Sequence, residues 1–336
     1  MIFPSTTVVI LSKGNEKEVR QLLLYLNQVC PEDHFVLADG DEKKDLEYFV
    51  KDLQFKNLTY FHSPDVDLYN FYSKIKKALE YVSTDYVMLA DTDDFILPNG
   101  LKRLENFLDE NIDFISVGTQ ISGFKVTNNK PNYFEFFTSN ERHFSEEDSA
   151  TDRIINNGME SVTYYNLFRL NSLKNMVNFL VSINPSSLVA FEQILNLGGL
   201  IEGKQTKIRS GSHYLRQADT SQYGGGGFSG FPAHMVDGNY TDAVHSIRNY
   251  IQKIENKSID HQKVDNYLRD YFINFITNRY RNTIIRNFLG FFGLGKVDKK
   301  FFVKTLSKAR FSKSKRLNQL EIEDINNFDS FIRRMG

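Results

Sequence analysis

Residues 86–101 read YVMLADTDDFILPNGL, an apolar run that ends in a cluster of acidic residues. The run Tyr86–Ala90 predicts a buried β-strand, and the carboxylates of Asp91, Asp93 and Asp94 follow directly after it. Because the carboxyl ends of parallel strands face the ligand crevice of an open sheet, we expect these acids to converge on a bound molecule. Mn²⁺ or Mg²⁺ would relieve their repulsion through oxygen ligands shared with substrate phosphates. The alternative is an acidic turn that caps the next helix.

The first 125 residues alternate short apolar runs with longer amphipathic segments, which predicts βαβ units. Further strands are predicted at Thr7–Leu11, His34–Ala38, Leu58–His62 and Asp113–Val117. Apolar residues at helical spacing predict helices at Glu16–Val29, Asn70–Val82 and Leu101–Leu108. The sequence therefore predicts an α/β fold with a mostly parallel, Rossmann-like sheet flanked by helices.

The chain becomes polar and loop-like after about residue 125 and then returns to apolar patterns. These predict a strand at Thr163–Leu170, helices at Ser172–Leu180 and Ser187–Leu197, and a strand at Leu200–Arg209. We expect Gly198 and Gly199 to end the second of these helices. Residues 223–230 read YGGGGFSG, and their five glycines predict a mobile loop. From Asp242 onward the pattern is entirely helical.

The composition is that of an ordinary globular chain, with 41 basic and 42 acidic residues among 336. This balance excludes a disordered chain, and the single cysteine, Cys30, excludes a disulfide-stapled miniprotein. The N-terminal residues lack the features of a signal peptide, and no uncharged stretch reaches the length of a membrane-spanning helix. These observations predict a cytoplasmic protein.

Basic residues concentrate in one late segment. Residues 279–316 hold twelve Lys or Arg side chains and one acid, Asp298, together with several phenylalanines. Aromatic residues flanked by cations suit contact with anionic lipid, which predicts peripheral attachment at the inner face of a membrane. The alternative is a helical subdomain that packs its Phe face on the body of the protein. No nucleic-acid-binding motif accompanies the segment, so no nucleic acid partner is expected.

The stretch ADTDDFILPNGL at residues 90–101 resembles the glycosyltransferase family 2 pattern of the GT-A fold. Val8–Asn15 (VVILSKGN) is similar to that family's first strand and turn, and Val36–Asp41 (VLADGD) to its second strand and acidic turn. Later stretches follow the family's acceptor-side order more loosely: Tyr164–Leu173, Phe191–Gln193, Gly199–Lys204 and Tyr214–Gln217. The resemblance covers roughly residues 5–220.

The resemblance implies a division of the chain into two parts. Residues 1–235 would form the GT-A domain, with a nucleotide and metal half at 1–125 and an acceptor half with its lid at 126–235. Residues 240–336 would form a helical, basic C-terminal region.

The implied activity is metal-dependent transfer of a sugar from a nucleotide-diphosphate donor, expected to be a UDP-sugar. The acceptor would be a glycan or a lipid-linked glycan in bacterial capsule or lipopolysaccharide synthesis, and the transfer is expected to invert the anomeric centre. A polyol-phosphate or sugar-phosphate transferase with a CDP or CMP donor remains an alternative on the same fold. From another class, a non-catalytic glycan-binding or membrane-binding relative also remains. A nucleotidyltransferase is disfavoured, because the turn after the first strand has a single glycine, Gly14.

The resemblance also assigns residues to the donor. Ser12, Asn70 and Lys74 would line or contact the donor site, and Asp39 would accept a hydrogen bond from a ring N–H of the base. The alternative for Asp39 is a turn residue before Gly40.

The metal and diphosphate contacts are implied in the same way. Asp93 would be the main metal ligand, with Asp91 toward the ribose and metal and Asp94 in support. Arg216 would add positive charge at the diphosphate, or else be an ordinary surface arginine. Gly224, Gly225, Gly226 and Gly227 would form a lid that excludes water, or else a passive linker.

The implied general base is Glu192, at the place where the family commonly has a Glu-Asp pair. Gln193 stands where the second acid would be, so this chain departs from the pattern. A structural surface acid at Glu192 is the alternative, and other candidate bases are Asp148, Asp152 and Asp219. The family's late histidine ligand has no clear counterpart here. His213 is the nearby candidate metal ligand, and its alternative is a structural histidine.

Overall fold

The computed structural model describes residues 5–119, 122–135, 145–157, 163–208, 211–217, 230–238, 240–256, 260–274, 277 and 319–335. The strands are β1 (Thr6–Ser12), β2 (His34–Asp39), β3 (Leu58–His62), β4 (Tyr86–Asp91), β5 (Asp94–Ile96), β6 (Phe114–Thr119), β7 (Ser122–Thr127), β8 (Lys130–Glu135), β9 (Leu167–Arg169), β10 (Lys204–Ile208) and β11 (Tyr214–Gln217).

The helices are α1 (Glu16–Val29), α2 (Asp45–Leu53), α3 (Leu68–Ala78), α4 (Pro98–Glu110), α5 (Ala150–Asn157), α6 (Leu170–Ile183), α7 (Leu188–Glu202), α8 (Phe231–Asp237), α9 (Tyr240–Glu255) and the C-terminal helix (Gln319–Met335). Residues 261–274 are also helical. Within the described ranges, no helix combines the length and apolar character that crossing a bilayer requires.

Among the described residues, the main sheet has seven strands in the order β10-β6-β9-β4-β1-β2-β3. It is parallel except for β9, which runs antiparallel to both β4 and β6. The central strands β1, β2 and β4 are buried along almost their whole length, as strands covered by helices on both faces are. The predicted α/β fold with a mostly parallel sheet is confirmed, and β4 places Asp91 beside Leu11 of β1 at the carboxyl edge.

A smaller sheet with the order β5-β11-β7-β8 begins directly after β4. Its β7–β8 hairpin turns at Asn128 and Asn129, whose φ angles of 52° and 57° lie in the left-handed region that asparagine tolerates. This hairpin occupies part of the polar stretch predicted as loop, so that prediction is wrong there. The sheet matters for the site because β11 runs antiparallel to β5 and pairs Arg216 with Asp94.

The sequence predicts that the glycine pair ends α7, and this prediction is wrong because both glycines lie inside the helix. Gly198 and Gly199 are buried, and α7 continues to Glu202. A Cβ on Gly199 would lie 2.7 Å from Nε2 of Gln205 in β10, so the glycine permits close packing of helix on strand. The strand predicted at Leu200–Arg209 accordingly begins only at Lys204. Likewise, the strand predicted at Thr163–Leu170 is limited to β9, because α6 begins at Leu170.

Candidate active site

Three carboxylates gather where β4 ends. Asp91 is the last residue of β4, Asp94 is the first of β5, and Asp93 lies in the turn between them. One oxygen from each side chain lies within 4.8 Å of one from each of the others. Burial raises the pKa of Asp94 well above its ordinary value, and the charges of Asp91 and Asp93 raise it further. The structure therefore brings the three predicted acids together, in surroundings that penalise the negative charge of Asp91 and Asp94.

The cluster has the chemistry that a divalent cation requires. Oδ2 of Asp94 accepts a hydrogen bond from the Asp91 backbone N–H at 3.0 Å, whereas its buried Oδ1 accepts none from the described residues. Closely spaced carboxylate oxygens with an unsatisfied acceptor are ligands that Mg²⁺ and Mn²⁺ prefer. Asp91 and Asp93 line the adjoining cavity, so they are placed to hold such an ion, with Asp94 behind them.

Two tyrosines and an arginine hold Asp91. Tyr164 donates a hydrogen bond to Oδ1 of Asp91 at 3.1 Å, and Tyr165 donates to Oδ2 at 2.8 Å. Arg216 donates to the Tyr165 hydroxyl, also at 2.8 Å. Burial alone would lower the pKa of Arg216. The interactions with Tyr165 and the three acids outweigh the effect of burial and raise the pKa of Arg216 above its ordinary value. A permanent cation therefore lies beside the acidic cluster and lines the same cavity.

A cavity of about 810 Å³ opens beside this cluster. This volume lies within the range of sites that bind drug-sized ligands and cofactors. The walls combine polar groups near the strand ends with apolar groups from α3 and α7. The lining residues discussed below are Ser12, Asp65, Phe71, Lys74, Asp91, Asp93, Glu192 and Arg216. Residues separated by some 200 positions in sequence thus surround one space.

Two of the predicted donor residues, Ser12 and Lys74, line the cavity. Lys74 is fully buried, and its Nζ donates to the Ser12 carbonyl at 2.9 Å and to Oδ2 of Asp65 at 2.6 Å. Burial lowers the pKa of Lys74, and the charge of Asp65 opposes that effect. The lysine therefore ties the end of β1 to the segment after β3.

The other two predicted donor residues do not line this cavity in the described structure. Asp39 is completely buried, and its Oδ2 accepts from the Tyr60 hydroxyl at 2.8 Å. Its Oδ1 accepts from the Asp41 backbone N–H at 3.1 Å and from the Ser12 hydroxyl at 3.5 Å. Asn70 lies in the first turn of α3, where its backbone N–H donates to Asp67 at 2.8 Å. Both residues therefore contribute to local structure at the edge of the site.

The candidate base, Glu192, is the fifth residue of α7, is half-buried and lines the cavity together with Asp91 and Asp93. The side-chain amide of its neighbour Gln193 makes two hydrogen bonds. Oε1 of Gln193 accepts from the Phe231 backbone N–H at 2.6 Å, and Nε2 donates to the Tyr271 hydroxyl at 3.0 Å. The departure from the family's acidic pair thus joins α7 to α8 and to the 261–274 helix.

The structure does not bring His213 to the acidic cluster as a ligand. Its imidazole is almost completely buried, with Nδ1 2.7 Å from the Thr119 hydroxyl and Nε2 2.7 Å from the Tyr165 carbonyl. Because a carbonyl only accepts, Nε2 carries the proton and Nδ1 accepts from Thr119. Burial lowers the pKa of His213 to about 4. Both ring nitrogens are therefore used within the protein.

The remaining predicted residues lie away from the cavity or outside the described part of the chain. Asp148 forms a surface ion pair with Lys204, and Asp152 forms one with Lys263. Asp219, Gly224, Gly225, Gly226 and Gly227 and the basic segment 279–316 lie outside the described residues.

The two tyrosines that bond Asp91 are site residues that the sequence does not predict. The Tyr164-Tyr165 pair is visible as a doublet before β9, but nothing in the sequence connects it to Asp91, 73 positions earlier. Asp65 and Phe71, which line the cavity, carry no motif either. The spacing of local motifs cannot reveal such partners, because the crossovers of the sheet create these contacts.

A mostly parallel α/β sheet with an acidic cluster and a cavity at the carboxyl edge of its central strands is the arrangement of the GT-A fold. The sequence model of the family described as "Glycosyl transferase family 2" matches residues 7–174, half of the chain. The chain therefore belongs to this family. No curated protein matches the chain in sequence.

Solved structures of S. aureus TarS share the fold. The crystal structure of TarS 1-349 is 15% identical, covering 98% of this chain and 91% of that one, with a TM-score of 0.55. The same fragment in complex with UDP-GlcNAc is 17% identical, covering 81% and 72%, with a TM-score of 0.52. The longer TarS structure is 16% identical, with a TM-score of 0.51; the match covers 80% of this chain and only 43% of that one.

Proposed function

We propose that the protein transfers a sugar from a nucleoside-diphosphate donor, with a UDP-sugar as first candidate, to a glycan or lipid-linked acceptor. The observation that carries this proposal is the Asp91-Asp93-Asp94 cluster, which lies beside Arg216 at the wall of a cavity of about 810 Å³. Family membership supports the reaction class. The similar TarS fragment in complex with UDP-GlcNAc supports the choice of donor.

The donor would bind with its diphosphate at the acidic cluster. Asp91 and Asp93 would hold Mn²⁺ or Mg²⁺, which neutralises charge on the diphosphate when bound. Arg216, fixed by Tyr165, would stabilise the negative charge that grows on the diphosphate as the bond to the sugar breaks.

Glu192 is the group in this proposal that activates the acceptor. Its carboxylate would take the proton of the acceptor hydroxyl while that oxygen forms the new bond to the anomeric carbon. The leaving nucleoside diphosphate departs from the other face, so the transfer inverts the anomeric centre. A single cavity-lining carboxylate on α7 suits this one-base mechanism. A role in capsule or lipopolysaccharide assembly, with the 279–316 segment at the inner membrane face, belongs to the same proposal.

The decisive experiment is calorimetric titration of UDP, GDP, CDP and CMP with Mn²⁺ and with a chelator. We expect one nucleotide, UDP first, to bind with metal and to lose binding in the chelator. Asp93→Ala is expected to abolish that binding, whereas Asp52→Ala, at an exposed position in α2, should leave it unchanged. Absence of nucleotide binding under every condition would refute the proposal, and preferred binding of CDP or CMP would favour the polyol-phosphate or sugar-phosphate transferase instead.

Glu192→Gln separates catalysis from binding. It preserves the size of the side chain but removes the base, so nucleotide affinity should persist while transfer falls by about 10²-fold or more. Initial rates and nucleotide titrations on the same preparation test this. Gln252→Glu, at an exposed position in α9, is the matched control. Full transfer activity in Glu192→Gln would exclude Glu192 as the base.

A further inference from the structure

The C-terminal helix packs against the segment that follows the acidic cluster. It contacts α1, α4 and β8, and its buried residues Asp324, Phe328 and Phe331 are between 0% and 4% exposed. This helix lies far outside residues 7–174, which the family model matches. Its contacts therefore come from a part of the chain that the family model does not match.

Asp324 caps the helix that follows the acidic cluster. Helix α4 starts at Pro98, and the N-cap residue Leu97 offers no side-chain acceptor for the first N–H groups. The Asp324 carboxylate supplies it, accepting from the backbone N–H of Asn99 at 3.1 Å and of Gly100 at 3.3 Å. It also accepts from the Asn99 side-chain amide at 2.9 Å. A negative charge at this end of a helix is favoured by the helix dipole as well.

Phe328 packs beneath β5 itself. Its ring centroid lies 5.1 Å from that of Phe95, 4.7 Å from Phe124 and 5.8 Å from Tyr25. Phe95 directly follows Asp94, and the hydroxyl of Tyr25 donates to the carbonyl of the next residue, Ile96, at 2.9 Å. The aromatic cluster therefore fixes the backbone on which Asp94 is mounted.

These two contacts lie at successive points of one short segment. Asp94 is the first residue of β5 and accepts a hydrogen bond from the backbone of Asp91. The next residue, Phe95, packs against Phe328, and Asp324 caps the first turn of α4. Neither Asp324 nor Phe328 is among the residues that line the described cavity. We propose that the C-terminal helix positions the acidic cluster, so that the metal affinity of Asp91 and Asp93 depends on Asp324 and Phe328. This rests on the proposed function only in taking the cluster to be a metal site.

The experiment is a titration of the full-length protein with Mn²⁺ alone, following free Mn²⁺ by electron paramagnetic resonance. Residues that orient metal ligands without binding the metal themselves commonly change metal affinity by about 10-fold or more when they are mutated. We therefore expect Asp324→Ala to weaken Mn²⁺ binding by about tenfold. Phe328→Leu should weaken it in the same direction. Glu323→Ala, at the exposed neighbouring position of the same helix, is the matched control and should bind as the wild type does.

Circular dichroism must show each variant to be folded at the temperature of the titration. If Asp324→Ala does not fold, Asp324→Asn, which keeps the shape and one acceptor oxygen, takes its place. Unchanged Mn²⁺ affinity in the folded Asp324 and Phe328 variants, with only a lower unfolding temperature, would show that the helix merely stabilises the fold and overturn the proposal. Because this experiment measures Mn²⁺ binding alone, failure of UDP to bind would refute the proposed sugar transfer and leave the positioning role of the C-terminal helix to the Mn²⁺ titration. Absence of Mn²⁺ binding in the wild type would overturn the positioning role.

Discussion

Tyr165 is the residue on which the arrangement of the site depends most directly, because its one hydroxyl contacts two functional groups. It donates to Asp91 and accepts from Arg216, both at 2.8 Å. Tyr165→Phe removes both hydrogen bonds while keeping the buried ring, so we expect UDP affinity in the presence of Mn²⁺ to fall by about tenfold. Calorimetric titration tests this. Tyr48→Phe, at a tyrosine 77% exposed, is the control, and wild-type affinity in Tyr165→Phe would contradict the assigned role.

His213 makes the protein sensitive to acid. Burial lowers its pKa to about 4, whereas the unfolded chain has the ordinary value of about 6.5. Between these values the unfolded state binds more protons, so the contribution to stability is complete above pH 6.5 and is lost as the pH falls toward 4. The loss amounts to about 3 kcal/mol in the free energy of unfolding.

Urea denaturation of wild type and His213→Gln at several pH values between 7 and 4.5 measures this contribution. The variant should be less stable at pH 7, and the difference between the two proteins should shrink as the pH falls. Equal pH slopes for both would show that His213 does not titrate in this window.

At this scale the sequence predicts the acids but not their partners. Asp91, Asp93 and Asp94 are recognisable because they follow one apolar strand, and this relation is local. Asp39 accepts a hydrogen bond from Tyr60 in the neighbouring strand. The ring nitrogens of His213 bond Thr119 and Tyr165. The tertiary fold supplies these donors and acceptors, and the sequence does not reveal them.

At the scale of elements, one buried ion pair joins the segments that follow β1, β2 and β3. Lys74 of α3 bonds Asp65, which follows β3, and the carbonyl of Ser12 at the end of β1. Gly40, which follows β2, touches the same pair, since a Cβ there would lie 2.2 Å from Asp65 Oδ2 and 2.4 Å from Lys74 Nζ. The pair therefore fixes three strand ends relative to α3.

Lys74→Met would leave the Asp65 carboxylate buried without its cation, at a cost of about 3 kcal/mol in the free energy of unfolding. Chemical denaturation measures this, with Lys76→Met at an exposed position of the same helix as control. Adding Asp65→Asn to Lys74→Met should recover part of the loss, because it removes the unpaired charge. A Lys74→Met variant as stable as Lys76→Met would contradict the assignment.

Elements with strong periodicity are predicted well, and those set by tertiary contacts are not. The strands β1 to β4 and the helices α1, α3 and α4 agree in type and position with the apolar patterns that predict them. The short β5 is not predicted, because it exists through its pairing with β11, more than 100 residues later. The prediction that Gly199 ends a helix is wrong for a similar reason. The absence of a side chain at Gly199 gives room to Gln205, which lies in another element.

For the molecule as a whole, repulsion among the acidic residues of the cluster destabilises the folded state, and a bound cation would relieve it. Burial raises the pKa of both Asp91 and Asp94, and neighbouring carboxylates add to the effect. An ion that binds only the folded state stabilises it, by about 2.7 kcal/mol when present at 100 times its dissociation constant. For a chain of this size we expect saturating Mn²⁺ to raise the unfolding temperature by a few degrees. UDP should add to that increase only when Mn²⁺ is present, because the ion and the diphosphate share the site.

Thermal unfolding followed by circular dichroism, with Mn²⁺, with the same ionic strength of KCl, and with Mn²⁺ plus UDP, tests this coupling. Asp93→Ala should show no metal-dependent increase, while Asp52→Ala should behave as the wild type. An equal increase in wild type and Asp93→Ala would mean that Mn²⁺ acts elsewhere on the surface. Asp324 contacts the segment after the cluster and not the metal site itself. Asp324→Ala should therefore reduce the increase in unfolding temperature at subsaturating Mn²⁺ but not abolish it at saturation. This pattern distinguishes a positioning group from a ligand.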